Sequence, residues 1–525
     1  MASQVGLRAL IVWTAATLAA SLPASAANYI SYAYGPRHEG FTDEKIQAPL
    51  SLAWRFVTAP REYSGTAPLV VDNNVFHAAG YALYCLDVAN GSIKWAIMTK
   101  APVRSAPAYC RGLVWFGDDE GKLRAVDPQT GKVAWEMDAQ DAIRSPIVAA
   151  GSVILFGTTG SRIFAVDAEK HERLWQARTS DRVDAAPAAD ERTVYVACLD
   201  NSVYSFDLKT GNERWQLKLG SGWSIAGAPV LSSNFIYLAA GKSLLVIGKY
   251  GRLVNQAAFK GDLAGEPAFT NSGLYVAIKG AGNAAVYCVT EQPFRKKWET
   301  PLDISPAAPL TVTPDLVLVG GSYGLTAALS VETGKMVWSY LAREPDSATE
   351  DAEFKAQAAP IVANGRLYMI YDDGSLCCFA GDAPDVTPPA VTRLTPAAVE
   401  PVSALPPVII GANVYDGGSG VDPSSIKMTY DGKDVKWEMR FDNSDCYYEV
   451  KAATDTTPIE NGWHTVTVSA ADWRGNAIEK KWRFLCDRSI AQPTKTTKTT
   501  TPAGGGAVPT GTFGGGRERR GRGRD

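Results

Sequence analysis

The stretch Asp127-Pro-Gln-Thr-Gly-Lys-Val-Ala-Trp135 decides the fold, because it recurs along the chain. Copies that align with it without gaps end at Trp95, Trp175 and Trp215. These tryptophans are evenly spaced, at the interval of about 40 residues that is typical of propeller repeats. The Asp can hydrogen-bond the amides of its own turn, and the Gly supplies the positive φ of a tight hairpin. Each copy therefore predicts a turn followed by a strand that carries the Trp.

The Trp marker extends beyond these copies in both directions. Trp54 precedes Trp95 by nearly the same interval, and Trp298 and Trp338 follow later, separated by that interval again. One further step beyond Trp215 reaches Asn255, in a degenerate copy. The marker therefore predicts eight repeats, and we assign seven tryptophans to packing between them: Trp54, Trp95, Trp135, Trp175, Trp215, Trp298 and Trp338.

Proline gives a second, independent count of the repeats. Ala, Ser or, once, Glu directly precedes Pro at eight positions: Pro68, Pro107, Pro146, Pro187, Pro229, Pro267, Pro309 and Pro360. The gap from the Trp position to this Pro is similar in seven repeats and almost twice as long in the last, which locates an insertion.

Each unit reads as four short strands joined by tight turns: Ala108-Tyr-Cys, Leu113-Val-Trp-Phe, Leu123-Arg-Ala-Val and Lys132-Val-Ala-Trp135. Units of this kind make the blades of β-propellers. The last unit stops at Phe379 without a Trp strand, whereas the strand of Trp54 has no blade before it. We therefore predict an all-β, eight-bladed propeller over residues 45–381, in which the N-terminal strand completes the last blade.

The pattern Ala-x-Asp-x-x-Thr-Gly-x-x-x-Trp resembles the repeat of enzymes that use pyrroloquinoline quinone. The resemblance covers roughly residues 45–381, and its best copies end at Trp95, Trp135 and Trp215. Compact eight-bladed propellers of this kind are also similar to the propeller lipoprotein of the outer-membrane β-barrel assembly machinery. Because binding scaffolds and quinone-dependent dehydrogenases share this repeat, the resemblance implies a fold and leaves the function open.

A dehydrogenase would need a calcium-held quinone, a catalytic Asp and long insertions around the pocket. Seven of the eight repeats are close to minimal length, and no cluster of carboxylates lies beside an Asn in the inner strands. Cys377 and Cys378 lie inside a strand, which favours buried residues over a redox disulfide. The four His lie in no nucleophile motif, and His171 replaces the Gly of a turn. We therefore expect no catalytic residue, metal or cofactor.

Binding residues are expected where the repeat is broken. The insertion at residues 341–357 carries Glu344, Asp346, Glu350 and Asp351, and it joins the outer strand of one blade to the inner strand of the next. Loops in this position commonly bind partners, and the alternative is a solvated acidic loop.

Charged residues also interrupt a small-residue pattern just before the prolines of four repeats: Arg104, Arg144, Asp184 and Glu266. Adjacent blades would bring Arg104, Arg144 and Asp184 together near the channel mouth. These side chains either contact an anionic ligand or partner, or neutralise one another in salt bridges.

The N-terminus predicts an exported protein. Arg8 precedes an apolar run at residues 9–22, and Ala24-Ser25-Ala26 is a small-residue cleavage site, so residues 1–26 read as a secretory signal peptide. An uncleaved membrane anchor is the alternative. Residues 27–44 form an extension before the propeller. The formal net charge of −3 gives no reason to expect a nucleic-acid partner.

The C-terminal third begins with a linker at residues 382–387. Residues 388–487 read as short alternating strands and predict an immunoglobulin-like sandwich, resembling bacterial modules of surface and secreted proteins. Its Asp416, Asp422 and Asp472 either contact calcium or cap turns. In the same domain, a disulfide could join two cysteines: Cys446 and Cys486.

The tail at residues 488–525 is rich in Thr, then Gly, then Arg, so we expect it to be disordered. It would either contact an anionic envelope surface or stay solvated. Together these features favour a non-catalytic scaffold of the bacterial envelope that binds or assembles proteins, in the periplasm or at the cell surface. A quinone- or ligand-binding enzyme and an adhesion protein of the cell surface or cell wall are the alternatives.

Overall fold

The computed structural model describes residues 28–58, 66–225, 227–280, 282–291, 293–342, 355–441, 448–453 and 459–491. The predicted signal peptide, the acidic insertion with Glu344, Asp346, Glu350 and Asp351, and nearly all of the Arg-rich tail lie outside the described residues. No helix in the described part of the chain is long and apolar enough to cross a membrane.

Strands dominate the chain from Ser51 onward. After β1 (Ser51–Val57), the first four sheets contain, in chain order, β2 (Leu69–Val71), β3 (Asn74–Ala79), β4 (Ala82–Asp87), β5 (Ile93–Met98); β6 (Ala108–Cys110), β7 (Leu113–Gly117), β8 (Lys122–Val126), β9 (Val133–Asp138); β10 (Val148–Ala150), β11 (Val153–Thr158), β12 (Arg162–Asp167), β13 (Glu172–Arg178); β14 (Ala188–Ala189), β15 (Thr193–Cys198), β16 (Ser202–Asp207) and β17 (Glu213–Lys218).

Four more sheets follow, the last of which takes in β1. Their strands are β18 (Val230–Leu231), β19 (Phe235–Ala240), β20 (Ser243–Gly248), β21 (Arg252–Ala258); β22 (Asp262–Leu263), β23 (Ala268–Thr270), β24 (Gly273–Lys279), β25 (Ala285–Val289), β26 (Lys296–Pro301); β27 (Thr311–Val312), β28 (Leu316–Gly320), β29 (Leu325–Ser330), β30 (Met336–Leu341); β31 (Ile361–Ala363), β32 (Arg366–Ile370) and β33 (Ser375–Ala380). We number these eight sheets blades 1 to 8.

The strand order of blade 8 is β1-β33-β32-β31, and Trp54 of β1 pairs with Cys378 of β33. The prediction that the N-terminal strand completes the last blade is therefore confirmed. Cys377 and Cys378 are buried free thiols in this sheet.

Each pair of neighbouring blades encloses its own cluster of buried side chains. The seam between blade 8 and blade 1, for example, buries Trp54, Val70, Leu86 and Tyr368 in one cluster. Such clusters join every blade to the next around the ring. A four-stranded sheet of this size cannot cover both of its faces alone, so the ring is stable only when it is closed. The chain thus forms the predicted eight-bladed propeller.

The repeated Trp lies on the turn of the next blade. The indole Nε1 of Trp54 donates to the carbonyl oxygen of Val88 at 2.9 Å, and a Cβ on Gly91 would lie 2.6 Å from the indole ring. The same pair of contacts links Trp175 to Leu208 and Gly211. Only glycine leaves room for the ring, which explains why Trp and the Gly of the turn recur together.

Two copies depart from this rule. His171 takes the position of the Gly at φ 57°, and its ring stacks on Trp135 with centroids 5.9 Å apart. Asn255 occupies the Trp position of β21, where it pairs with Val246. In the same strand, the side chains of Leu253 and Val254 are exposed.

The C-terminal part forms two further sheets. Their strands are β34 (Ala390–Thr395), β35 (Pro401–Ser403), β36 (Ile409–Tyr415), β37 (Lys427–Tyr430), β38 (Lys433–Asp434), β39 (Glu438–Phe441), β40 (Tyr448–Ala453), β41 (Gly462–Ala471) and β42 (Ala477–Asp487). The orders are β34-β36-β40-β39 and β35-β42-β41-β37-β38. Short 3-10 turns lie at Tyr32–Tyr34, Ser322–Gly324 and Pro423–Ser425.

The two C-terminal sheets share one core, in which Ile410 and Val414 of the first sheet pack with Val466 and Phe484 of the second. They therefore form a β-sandwich, and its immunoglobulin-like identity stays a prediction. Cys486 is a buried free thiol. Cys446 lies outside the described residues, so a disulfide between the two stays a prediction as well.

The turn aspartates have lowered pKa values, from which we expect the propeller to lose stability in acid. The Arg214 guanidinium and turn amides lower the pKa of Asp207 to about 2. The pKa values of Asp87, Asp127 and Asp167 are also lowered, by hydrogen bonds from Lys94, from Thr130 and from the amide of Lys170 respectively. A lowered folded-state pKa contributes stability above the unfolded value, and this stability is lost as the pH falls through the folded value.

We expect a variant with Asn at all four positions to lose less stability than the wild type between pH 4 and pH 2, because Asn still caps the turn without titrating. Urea unfolding at each pH measures this slope. A control variant has Asn at four positions outside the repeat turns: Asp303, Asp315, Asp382 and Asp434. Equal slopes for the turn variant and the wild type would contradict the assignment.

Candidate functional site

Residues 28–44, which we call the plug, run past the innermost strands of all eight blades. In each blade the amide of the second residue of the innermost strand donates to the plug: Val70, Tyr109, Ala149, Ala189, Leu231, Phe269, Val312 and Val362. The acceptors are, in the same order, the carbonyl oxygens of Tyr29 and Ile30, Ser31 Oγ, the carbonyl oxygens of Pro36, Arg37, Glu39 and Gly40, and the Tyr34 hydroxyl.

The plug therefore satisfies one amide on the inner edge of every blade. Unpaired inner edges would otherwise leave buried donors without acceptors. The sequence marked residues 27–44 only as an extension, because carbonyl oxygens make most of these bonds and no residue type encodes them. The one available signal was its aromatic content, Tyr29-Ile-Ser-Tyr-Ala-Tyr34.

The aromatic side chains of the plug fill this end of the channel. Tyr29 and Tyr34 meet edge to face with centroids 4.8 Å apart, and Tyr32 and His38 do the same at 5.2 Å. The His38 Nδ1 lies 3.0 Å from the carbonyl oxygen of Pro229. Burial lowers the pKa of His38 to about 4, so its ring is neutral at physiological pH.

Glu266 lies beneath the plug instead of at an open mouth. Its side chain is buried, the Tyr32 hydroxyl donates to its carboxylate, and burial raises its pKa. The sequence grouped Glu266 with charged residues that contact a ligand or partner, or form salt bridges, whereas in the structure Tyr32 covers it. The remaining cavity beside Tyr32, His38 and Glu266 measures about 20 Å³, which is room for about one water molecule.

The opposite ends of the inner strands carry the other charged residues that precede the prolines. Arg104 Nε lies 3.1 Å from Asp119 Oδ2, and Arg144 Nε lies 3.0 Å from Asp119 Oδ1. Asp184 Oδ2 lies 3.1 Å from Arg182 Nε. The carboxylates of Asp119 and Asp184 both raise the pKa of Arg144. The structure thus brings these residues together around Asp119, which sequence reasoning missed, and they partly neutralise one another.

A groove of about 1300 Å³ opens on the plugged face, beside blades 4 and 5. Arg37 of the plug lines one side, and the turns of the two blades contribute Arg192, Lys249 and Tyr250. The Tyr250 side chain is 90% exposed, and it lies in the turn of the degenerate repeat, just before β21. Tyr and Arg are among the residue types enriched at the centres of protein interfaces.

Lys249 is held in the wall of this groove. Its Nζ lies 3.3 Å from Asp190 Oδ2 and 4.7 Å from the centroid of the Tyr195 ring. Burial lowers the pKa of Lys249, while the Asp190 carboxylate acts in the opposite direction. The groove therefore combines aromatic surface with fixed charges of both signs.

Three carboxylates meet where the sandwich contacts the propeller. Oxygens of Asp385, Asp416 and Asp472 lie within 4.8 Å of one another, which makes them the group among the described residues that could hold a divalent cation. Each also caps backbone amides, as when Asp472 accepts from Arg474 and Asn476. Burial and the two neighbouring carboxylates raise the pKa of Asp416 to about 6.

Asp422 lies apart from this group. Its carboxylate accepts from the amide of Ser424 at 2.9 Å and caps a 3-10 turn. We expected three aspartates either to contact calcium or to cap turns. Of these, Asp416 and Asp472 lie together, whereas Asp422 does not. Asp385, from the linker, completes the group instead.

The bond between plug and blade 6 can be tested by a double-mutant cycle. Replacing Tyr32 by Phe should cost about 1–3 kcal/mol of unfolding free energy, because it removes the partner of a buried acid. The same change should cost less in a Glu266→Leu background, since no buried carboxyl remains there. Urea unfolding measures the four variants, with Tyr250→Phe as the control for loss of an exposed hydroxyl. Equal costs in both backgrounds would show that the two side chains do not interact.

Comparison with known families gives a match over most of the propeller. The family model described as "Outer membrane protein assembly factor BamB" matches residues 119–261 and 249–383. Together these ranges span half of the chain, from β8 in blade 2 to β33 in blade 8. No curated protein matches the sequence significantly.

Solved structures with the same fold include a BamB protein, a designed protein and dehydrogenases. BamB from Moraxella catarrhalis is 19% identical, covers 64% of this chain and 99% of its own, and gives a TM-score of 0.50. Quinohemoprotein alcohol dehydrogenase from Comamonas testosteroni is 14% identical, covers 71% of this chain and 83% of its own, and gives 0.56. The computationally designed protein Ika8 is 16% identical, covers 63% and 99%, and gives 0.51. At these identities the likeness concerns the fold alone.

The plugged end of the channel does not fit a quinone cofactor. Cofactor-sized ligands occupy pockets of about 300–1,000 Å³, whereas the cavity beneath the plug measures about 20 Å³. Its acid, Glu266, already bonds to Tyr32 and has a raised pKa, so it is poorly suited to hold a metal ion.

Proposed function

This chain belongs to the family of outer membrane protein assembly factor BamB, and we propose that it is an exported, non-catalytic scaffold that binds another protein in the bacterial envelope. The single observation that carries the proposal is the plug, whose aromatic side chains occupy the plugged end of the channel. The sequence features of an exported protein support the location.

The groove beside blades 4 and 5 is the surface we assign to the partner. It combines the exposed Tyr250 with Arg192 and with Arg37 of the plug. Its volume of about 1300 Å³ exceeds that of a typical small-molecule pocket. Protein interfaces depend on a few such aromatic and Arg anchors. The rival surface is the acidic insertion between β30 and β31, which lies outside the described residues.

Site-specific crosslinking tests the assignment in the native envelope. A photoreactive phenylalanine analogue at position 250 should capture one defined protein, whereas the same analogue at the exposed Tyr81 should not. Arg192→Ser should reduce the capture at least fivefold, since it removes a charged wall of the groove. Capture that is equal at positions 81 and 250, or absent at both, would contradict the assigned surface.

The rival surface is distinguished by deleting residues 343–354. Binding through the groove predicts that the partner still co-purifies with this variant. Loss of the partner from the deletion variant, with Arg192→Ser unchanged, would assign binding to the insertion instead.

A quinone-dependent dehydrogenase is the second candidate, because solved structures of such enzymes share the fold. Adding pyrroloquinoline quinone with calcium to the full chain should change neither the melting temperature nor the rate of dye-linked alcohol oxidation. A known quinone dehydrogenase in the same assay is the positive control. A rise in melting temperature accompanied by alcohol oxidation would overturn the non-catalytic proposal.

A further inference from the structure

Blade 8 lacks the turn on which the Trp of the preceding blade should dock. In blades 1 to 7, one hairpin joins the third strand to the outer strand and carries that turn. In blade 8 the third strand is β33 and the outer strand is β1, which comes from the other end of the propeller. Trp338 of blade 7 therefore has no repeat turn in front of it.

A loop of the sandwich occupies this place. Residues Asp416-Gly-Gly-Ser-Gly420 lie against blade 7, where Trp338 Nε1 donates to the carbonyl oxygen of Ser419 at 2.8 Å. Trp338 is fully buried, whereas Trp95 and Trp298 are only half-buried on their repeat turns. The Trp of the joint between blades 7 and 8 is thus covered at least as well as those of the joints that the repeat itself makes.

The loop has the same Asp–Gly spacing and the same kind of Asp cap as the repeat turn. Asp207 and Gly211 lie four residues apart in a repeat turn, as do Asp416 and Gly420 in the loop. The glycines have φ values of 71° and 86°, and each Asp accepts from two amides within its own turn. One detail differs. Trp175 bonds to the residue after the Asp, whereas Trp338 bonds to the residue before the Gly.

The sandwich also forms hydrogen bonds with β1, the strand that closes the ring. The amide of Leu52 in β1 donates to the carbonyl oxygen of Gly418 at 2.9 Å. Arg474 reaches the same strand, with Nε 3.1 Å from Ser51 Oγ, and its Nη2 bonds to the carbonyl oxygen of Gly381 at the end of β33.

The sandwich is anchored on blade 7 as well. The Trp473 indole donates to the carbonyl oxygen of Ser339 at 3.0 Å, and the Tyr340 hydroxyl donates to that of Gly417 at 3.2 Å. The sandwich therefore contacts blade 7 and both of the strands that meet at the closure of blade 8.

We propose that the sandwich is the clasp of the propeller: its loop 416–420 replaces the missing turn of blade 8 and holds β1 in the ring. This role is independent of the proposed protein partner. It also means that the sandwich has a defined position on the ring, instead of acting as a spacer on a loose linker.

Two matched glycines test the clasp in the full chain. Gly420 and Gly432 have similar φ values, 86° and 76°, but a Cβ on Gly420 would lie 2.4 Å from the carbonyl oxygen of Ser339, whereas nothing lies within 4 Å of one on Gly432. Both Ala variants carry the same backbone strain. Only Gly420→Ala pushes the loop away from blade 7.

Hydrogen exchange at β1 is the readout. In Gly420→Ala the amide of Leu52 and its neighbours in β1 should exchange at least tenfold faster than in wild type, while Gly432→Ala should stay within twofold. Exchange in blades 2 to 4 should not change in either variant. Equal exchange at β1 in both variants, whether fast or slow, would overturn the clasp.

A milder variant keeps the test decisive if Gly420→Ala does not fold. Trp473→Phe removes the single indole bond to Ser339, and it should speed exchange at β1 about threefold. Trp463→Phe, at an exposed tryptophan of the same sandwich, is its control. No difference between these two variants would also overturn the proposal.

Discussion

The packing of each tryptophan on the turn of the next blade is the contact on which the rest of this structure depends. Each blade is too small to bury both of its faces, so its stability comes from its neighbours. The Trp ring and the Gly beneath it fix the distance between two blades at the outer edge, as Trp54 and Gly91 do between blades 8 and 1. Because the blades form a ring, each blade must pack against both of its neighbours. Seven of the eight joints use a Trp, and the joint that follows Asn255 relies on the buried cluster between blades 5 and 6.

A linear chain cannot supply all eight joints from one repeat. The seam of the ring needs an outer strand for blade 8 and a turn for Trp338, and neither is available where the repeats end. The strand comes from the N-terminus as β1, and the turn comes from the sandwich. The plug is the third segment that completes the ring, because it provides an acceptor for one inner-strand amide in each of the eight blades. Three segments outside the regular repeat thus complete the ring.

The propeller could be predicted from the sequence because its contacts are periodic. The Trp interval and the Pro mark the same eight units, seven of which carry the Trp. The completion of blade 8 by the strand of Trp54 followed from counting strands. The plug could not be predicted, because backbone carbonyl oxygens make most of its bonds. Residues such as Ile30 and Pro36 carry no signal of that role. Trp338 and Ser419 are 81 positions apart, and no repeat relates them. The groove likewise depends on side chains that converge from the plug and two blades.

Cleavage of the folded protein tests most directly whether the chain completes its own ring. A protease site is inserted after Asp382, the full chain is folded and cut, and the products are separated by size-exclusion chromatography at neutral pH. The account predicts that the sandwich co-elutes with the propeller after complete cleavage, because the loop 416–420 is docked at the seam. Separation into two fragments, with the propeller still folded and the exchange of β1 unchanged, would contradict it.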